Sequence, residues 1–386
     1  MHLIESYATN CGLKIDKPEI FEKFFPLSFD KYVTFETSLD PARDYDYWLD
    51  VISTILPELE KNGIVIVQLG KRGSKHVQPC ASAIGITNRN QEAYIIKNSL
   101  LHFGVDGYLS QLAGAYDKKT VCLYSNNNKN DIKPYWGDPE KQILIESDRG
   151  GKKPSFASTE NPKTINMIKP EVISEAISKL LNLKHDCDYK TLEFGFNYCN
   201  KIVETVPNQV VSAQQMGINS IIIRMDFVFD EEKLQEQLKH SQCSIVTDKA
   251  IKEDILQKYK PQIKEIIYYI DSDHDPSFVD LLQKNAIKFA LFSDLDEETI
   301  NPFKIDYMDH GIIHRKDLPS YEHLKNRENI YYRSSKLTLS NGKMYPSKAA
   351  YLEDKPIKDQ FEVTKIIDNE EFWREADYFC FLEKTS

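Results

Sequence analysis

The chain has no apolar run near the ~18 to 20 residues needed to cross a bilayer, and its first residues show no signal-peptide pattern. A membrane span is therefore excluded at the level of sequence, and a cytoplasmic location is expected. Positive charge is in deficit: 49 Lys and Arg stand against 59 Asp and Glu, a net charge of −10. That argues against a general polyanion-binding surface while leaving room for a local basic groove. Cysteine is sparse and scattered (Cys11, Cys80, Cys122, Cys187, Cys199, Cys243, Cys380), with no CxxC pair. An odd count without metal spacing predicts reduced, mostly buried thiols rather than a disulfide framework or a zinc site. The glycine-rich stretch Gly150-Gly151-Lys152-Lys153-Pro154-Ser155 lacks the spacing of a Walker loop and reads as a surface loop.

Apolar residues make up 41% of the 386 positions and charged residues 28%, the balance of a globular protein and too apolar for a disordered one. At ~150 residues per domain the length suggests two domains. The pattern along the chain alternates strand and helix. In the first half, strands are predicted at Tyr32–Glu36, Ile64–Leu69, Leu100–Val105 and Thr120–Tyr124, with helices over 44–61, 91–97, 108–116 and 170–183. Asn62-Gly63 supplies a helix C-cap. The rhythm resumes in the second half with strands at Ser220–Met225, Ser244–Thr247, Glu265–Ile270 and Lys288–Phe292. Beyond Ile305 it changes: Asn329–Arg333 and Lys336–Leu339 alternate like exposed strands, Ser340-Asn341-Gly342-Lys343 is a hairpin turn, and the last residues read as a helical tail. The expected fold class is α/β, two Rossmann-like parallel-sheet domains facing a cleft. Residues 1–185 form the first domain, 186–350 the second, and 351–386 a tail packed on the body.

Ligands of such sheets lie outside the carboxyl ends of the strands, so the strand-end loops are where chemistry is sought. The most informative is Leu101-His-Phe-Gly-Val-Asp106-Gly107-Tyr-Leu-Ser-Gln111-Leu112-Ala113: strand, acidic-glycine turn, helix. Free N–H groups at that helix start suit a phosphate, and glycine at 107 would let a ligand come close to the backbone.

This segment resembles the donor-binding domain of the heptosyltransferase-like enzymes, glycosyltransferase family 9, which have the GT-B fold. Their pattern is an apolar strand, Gly-x-Asp-Ser-Gly, two residues, then His-Leu-Ala. Gly104, Asp106 and Leu112-Ala113 match it; Gly107-Tyr108 stands where Ser-Gly is usual and Gln111 where His is usual. Further pieces fall in the family's order: Thr34–Ser38 as first strand and loop, Trp48 opening the next helix, Ile64–Gly70 as second strand, Thr87-Asn88 near the nucleotide, and Lys133-Pro134-Tyr135-Trp136-Gly137 as the Pro-Tyr-Gly loop. The likeness covers about residues 1–183. In the family the donor domain comes second, and residues 2–13 here resemble the connecting segment, which suggests a circular permutation with residues 187–350 as the partner domain.

The resemblance implies a glycosyltransferase that moves a hexosyl, heptosyl or pentosyl group from a nucleotide-sugar to an acceptor hydroxyl, with no cofactor and no metal. The acceptor would be a glycan, a lipid-linked sugar or a modified nucleic-acid base, the last disfavoured by the net charge. The implied donor-binding residues are Thr37, Ser38, Gly70, Lys71, Arg72, Thr87, Asp106, Gly107 and Gln111. The family's catalytic aspartate has no counterpart here. Asp226, directly after the strand ending at Met225, is the candidate base, against the plainer reading of a loop or capping residue. Asp271-Ser272-Asp273-His274-Asp275 resembles a GT-A metal site, but helix capping is the simpler account, and Pro276 and Leu282 rule out an EF-hand. Asp309-His310 and His314 sit on a strand-like segment that disfavours a shared metal. The unmatched His and the missing base support a second reading, a non-catalytic binding or scaffolding protein that keeps the fold.

Overall fold

A computed structural model describes residues 1–185, 187–213, 221–317, 319–325 and 327–385. The chain divides into two compact units, 1–190 (to which Thr385 returns) and Thr191–Lys384. Asp186, where the sequence reading starts the second domain, lies outside the described residues, as does Ser220.

The first unit opens with helix α1 (Leu3–Cys11) and then alternates β1 (Tyr32–Glu36), α2 (Trp48–Lys61), β2 (Val65–Leu69), β3 (Ala81–Ser82), α3 (Arg89–Asn98), β4 (Leu101–Val105), α4 (Tyr108–Ala115) and β5 (Lys119–Tyr124). The short α5 (Lys129–Ile132), β6 (Gln142–Glu146) and α6 (Pro170–Leu181) complete it. All six strands run parallel in the order β3-β2-β1-β4-β5-β6. Helix α2 forms because Trp48, Val51, Ile52, Ile55 and Leu59 recur at helical spacing; this stripe is buried, and Gly63 at φ 67° ends the helix. It packs with Ile173 and Ile177 of α6 against Val33, Phe35, Phe103 and Val121, and the rings of Phe35 and Phe103 stack at 4.8 Å. On the opposite face, Tyr32, Val67 and Leu69 meet Ile96 of α3 and Leu109 and Leu112 of α4. Apolar residues on both faces are what a covered parallel sheet requires.

The second unit contains β7 (Tyr189–Phe194, which begins just before it), β8 (Ile202–Thr205), β9 (Ile221–Arg224), α7 (Glu231–His240), β10 (Cys243–Thr247), α8 (Glu253–Tyr259), β11 (Ile263–Tyr269), α9 (Pro276–Lys284), β12 (Phe289–Ser293), α10 (Glu297–Asp306) and β13 (Ile312–His314). Then come α11 (Glu322–Lys325), β14 (Ile330–Ser334), β15 (Lys336–Ser340), β16 (Lys343–Tyr345), α12 (Lys348–Leu352), β17 (Thr364–Lys365), α13 (Glu370–Trp373) and β18 (Phe379–Lys384). Its eight-stranded sheet has the order β13-β12-β11-β10-β9-β8-β15-β16, parallel except for the last pair. From β8 to β13 each new strand adds on the same side. Leu234, Leu238, Ile255, Phe278 and Tyr307, on or just after α7 to α10, share one cluster with Ile223, Ile245, Ile266 and Leu291 of the sheet. This winding in one direction differs from the first unit, whose order reverses between β1 and β4.

Two sequence expectations are corrected. The last residues are not a helical tail: β18 is a strand lying between β14 and β7 in a four-stranded sheet, with Phe379 and Phe381 buried. Nor is the segment starting at Lys336 exposed, for every residue of β15 is buried. Isolated alternation cannot tell which face of a strand will be covered. The hairpin turn is as expected, with Asn341 at φ 48° and Gly342 at φ 75° between β15 and β16.

Candidate ligand site at the strand switch point

The reversal of strand order between β1 and β4 makes the carboxyl ends of these strands the topological switch point of the first unit, the usual ligand position in open α/β sheets. The β1–β4 register pairs Phe35 with Phe103. Thr37 and Ser38 therefore leave β1 alongside Asp106 and Gly107 leaving β4, while Gly70, Lys71 and Arg72 follow β2 in the neighbouring position.

Asp106 is 5% exposed. Arg43 donates through Nη1 to its carbonyl at 3.1 Å and to its Oδ2 at 3.3 Å, and Asn127 Nδ2 donates to Oδ2 at 3.1 Å. The guanidinium also donates through Nε to Asp40 at 3.0 Å, while the Asp40 amide donates to Ser38 Oγ at 3.0 Å. Burial pushes the Asp106 carboxyl up; Arg43 and Asn127 oppose it without fully offsetting it. Asp106 Oδ1 and Thr37 Oγ1 are buried and have no hydrogen-bond partner among the described residues. Unmet capacity of this kind costs ~1–3 kcal/mol per group and is what a bound ligand's hydroxyl would relieve.

Glu36, the last residue of β1, was not singled out from the sequence. A Cβ on Gly104 would lie 2.8 Å from Glu36 Cγ and 2.9 Å from its carbonyl oxygen, and one on Gly107 would lie 3.3 Å from Glu36 Oε1. Gly107 is extended at φ −177°, so no left-handed conformation demands glycine there. The room these glycines leave lies against Glu36. Below it, His102 is fully buried, with Nδ1 at 3.2 Å from Thr34 Oγ1 and Nε2 at 3.7 Å from Glu36 Oε1. Thr34 donates to the Leu101 carbonyl at 3.3 Å, so its oxygen is left to accept from His102.

Lys71 and Arg72 are exposed, and Thr87 Oγ1 donates to Glu92 at 3.4 Å. Burial pushes the Glu92 carboxyl up, Glu36 adds to this, and Arg89 and Lys71 pull against it. The Arg89 guanidinium lies 5.2 Å from the centre of the Tyr108 ring at the start of α4. Gln111 is turned elsewhere: its Nε2 donates to the Ile132 carbonyl at 2.5 Å, bracing the α5 loop. The segment 147–165 closes on the ends of β1 and β5 through Phe156 N to Asn126 O (2.8 Å) and Ala42 N to Ser158 O (3.1 Å). Carboxylates at the centre and cations at the edge suit a ligand with hydroxyls inward and phosphates outward.

Asp226 belongs to the second unit. Arg224 holds both its oxygens, Nε to Oδ1 at 2.8 Å and Nη2 to Oδ2 at 2.7 Å, and donates through Nη1 to Glu204 at 2.7 Å. Lys336 pairs with Glu204 and Glu375, completing a buried network. Both oxygens of the Asp226 carboxylate are thus engaged by one guanidinium. Asp275 accepts from Ser277 N and caps α9, the simpler of the two readings of that loop. His314 Nε2 lies 2.8 Å from the Leu295 carbonyl. Among the described residues no helix is long and apolar enough to cross a membrane.

No protein-family model matches the sequence, and no curated protein matches it. Among solved structures the chain is similar to a glycosyl transferase family 9 protein from Veillonella parvula, at 15% identity and TM-score 0.31 over 46% of this chain and 50% of that one. It is also similar to the E. coli ADP-heptose lps heptosyltransferase II, at 17% identity and TM-score 0.32 over 46% of this chain and 51% of that one. A third is the E. coli heptosyltransferase WaaC with ADP, at 16% identity and TM-score 0.28 over 46% and 54% of the two chains. The chain thus spans about half the length of the solved structures it matches. The first of them is a member of the family that the sequence around Gly104 resembles.

Proposed function

We propose that this protein is a glycosyltransferase that binds a nucleotide-sugar at the switch point of its first unit and passes the sugar to an acceptor hydroxyl. The observation that carries the reading is the convergence of Thr37, Ser38, Asp106 and Gly107 at the reversal between β1 and β4, with Lys71 and Arg72 beside them. In this reading Asp106 Oδ1 and Thr37 Oγ1 receive hydroxyls of the donor, while Lys71, Arg72 and Arg89 neutralise its diphosphate. The amides in the first turn of α4 lack intrahelical acceptors and stabilise the diphosphate as it leaves.

Calorimetry with UDP-glucose, GDP-mannose and ADP-glucose tests the site. Exchanging Asp106→Asn together with Gly107→Val should abolish donor binding. The exposed pair Lys71→Gln and Arg72→Gln should weaken it with an unchanged melting temperature. Affinity that neither change moves removes the site assignment. A second reading, a binding protein without transferase chemistry, is favoured by the engagement of Asp226 with Arg224 and of Gln111 with Ile132. Incubation with the same three donors separates the two: slow hydrolysis supports the enzyme, and binding without turnover supports the binding protein.

A further inference from the structure

Among the described residues seven non-glycine residues have positive φ, and five of them are Asn or Asp, which tolerate that conformation. Of the other two, Ala286 is small, so Phe156, at φ 55°, is the one bulky side chain held there. A bulky residue in the left-handed region is strained, and such strain persists only where the surroundings fix the backbone. They do so here. Phe156 N donates to the Asn126 carbonyl at 2.8 Å, Asn126 Nδ2 to the Ala157 carbonyl at 2.6 Å, and Ala42 N to the Ser158 carbonyl at 3.1 Å. On the other side Ser155 donates to Glu160.

These bonds also fix where the segment lies. Ala42 belongs to the loop after β1 and Asn126 to the loop after β5, and β4 runs between those two strands. Arg43 and Asn127, the next residue in each loop, are the side chains that hold Asp106. Residues 156–158 therefore cross the end of β4 beside Asp106. The Phe156 ring gains no packing from this arrangement, for the residue is 67% exposed. Nor is it covered. The exposed Tyr108 ring at the same end of the sheet has the Arg89 guanidinium over it, whereas Phe156 has no ring or cation contact among the described residues.

An aromatic face held rigid and left open at a strand-end site suits the apolar face of a ligand, since little freedom is lost on binding. In the donor reading the diphosphate lies toward Lys71 and Arg72, which follow β2, and β2 is on the far side of β1 from β4. The base lies beyond the diphosphate. What reaches the β5 side of Asp106 is then the sugar, whose ring has C–H groups on its face and hydroxyls along its edge.

We infer that Phe156 packs on the face of the transferred sugar and favours a pyranosyl nucleotide over the bare nucleotide. The inference rests on the donor reading above and supplies the sugar end of that site. Calorimetry on the full chain compares UDP-glucose, GDP-mannose and ADP-glucose with UDP, GDP and ADP. Phe156→Gly should weaken the nucleotide-sugar that the parent binds about tenfold, the scale of one aromatic contact, and leave the matching diphosphate unchanged. Phe156→Tyr keeps the ring and should bind the nucleotide-sugar within about twofold of the parent. Because glycine adopts positive φ freely, Phe156→Gly should melt no lower than the parent. Equal weakening of nucleotide-sugar and bare nucleotide, or no weakening of either, would overturn the role of Phe156 while weakening by Lys71→Gln and Arg72→Gln still upholds the donor site. A lower melting temperature of Phe156→Gly would make the ring structural and overturn that role as well. If the parent binds none of the six compounds, the donor reading fails and this inference falls with it.

Discussion

Arg43 holds Asp106 by its carbonyl oxygen and its carboxylate with a single nitrogen, at 3.1 and 3.3 Å. The contact ties the loop after β1 to the loop after β4 across the switch point. Arg43→Met should therefore leave a buried acid without its main counter-charge and lower stability by ~1–3 kcal/mol. Asp106→Asn, which removes the charge that burial disfavours, should cost less. Thermal melts of the two variants check the order; equal losses would show that the pair is not what joins these loops.

Gly104 and Gly107 should respond differently to alanine. At Gly104 the added carbon meets the backbone oxygen of Glu36 at 2.9 Å, which cannot withdraw, whereas at Gly107 it meets only the mobile end of the Glu36 side chain at 3.3 Å. Gly104→Ala should cost ~1–3 kcal/mol, in the range of an overpacked core, and Gly107→Ala clearly less. Urea midpoints measure both, and a larger loss at 107 would contradict the packing described.

The loop over β5 has its own acid-sensitive clasp. Burial alone would raise the Glu160 carboxyl, but donation from Arg149, Ser155 and Thr164 brings it from the ordinary 4.5 down to about 2. A lowered folded-state value means that the stabilisation is present above pH 4.5 and is lost as pH falls toward about 2. Glu160→Gln should therefore be less stable than the parent at neutral pH, with the gap closing through that window. Melting temperatures along a pH series give the answer; a constant gap would place the effect of Glu160 outside its ionisation.

In the second unit Arg224 stands between Glu204 and Asp226, both within 2.8 Å. Arg224→Met would strand Asp226 in the interior and leave Glu204 to Lys336 alone, and the expected loss is ~3–5 kcal/mol. In Asp226→Asn, Arg224 keeps Glu204 at 2.7 Å, so this change should be milder than Arg224→Met. Chemical denaturation of both chains would expose an error if Asp226→Asn proved the more damaging.

Much of the fold can be read in the sequence because strand and helix periods are local. The Trp48–Leu59 stripe, the Asn62-Gly63 cap and the 341–342 turn each announce themselves within a dozen residues or fewer. The strand-end turn at Asp106-Gly107 is legible for the same reason. Glu36, Arg43, His102 and Asn127 were missed because they meet Asp106 or one another only across the sheet. A further signal was present in the sequence. Asp226, Asp248, Asp271 and Asp294 recur every 22 or 23 residues, each just past a strand, and mark a repeated βα unit wound in one direction.

The sequence by itself determined the α/β class, the balance of charge and apolar residues, and most element positions, since these follow from composition and short-range periodicity. Only the tertiary structure decided that strand order reverses in the first unit and runs one way in the second, that β15 is buried, and that the last strand is inserted between β14 and β7. It also decided that Glu36 occupies the space beside Gly104 and Gly107 and that Arg224 holds Asp226. Those outcomes depend on which distant segments pair, a choice made by the burial of whole faces and by charges that find partners dozens of residues away.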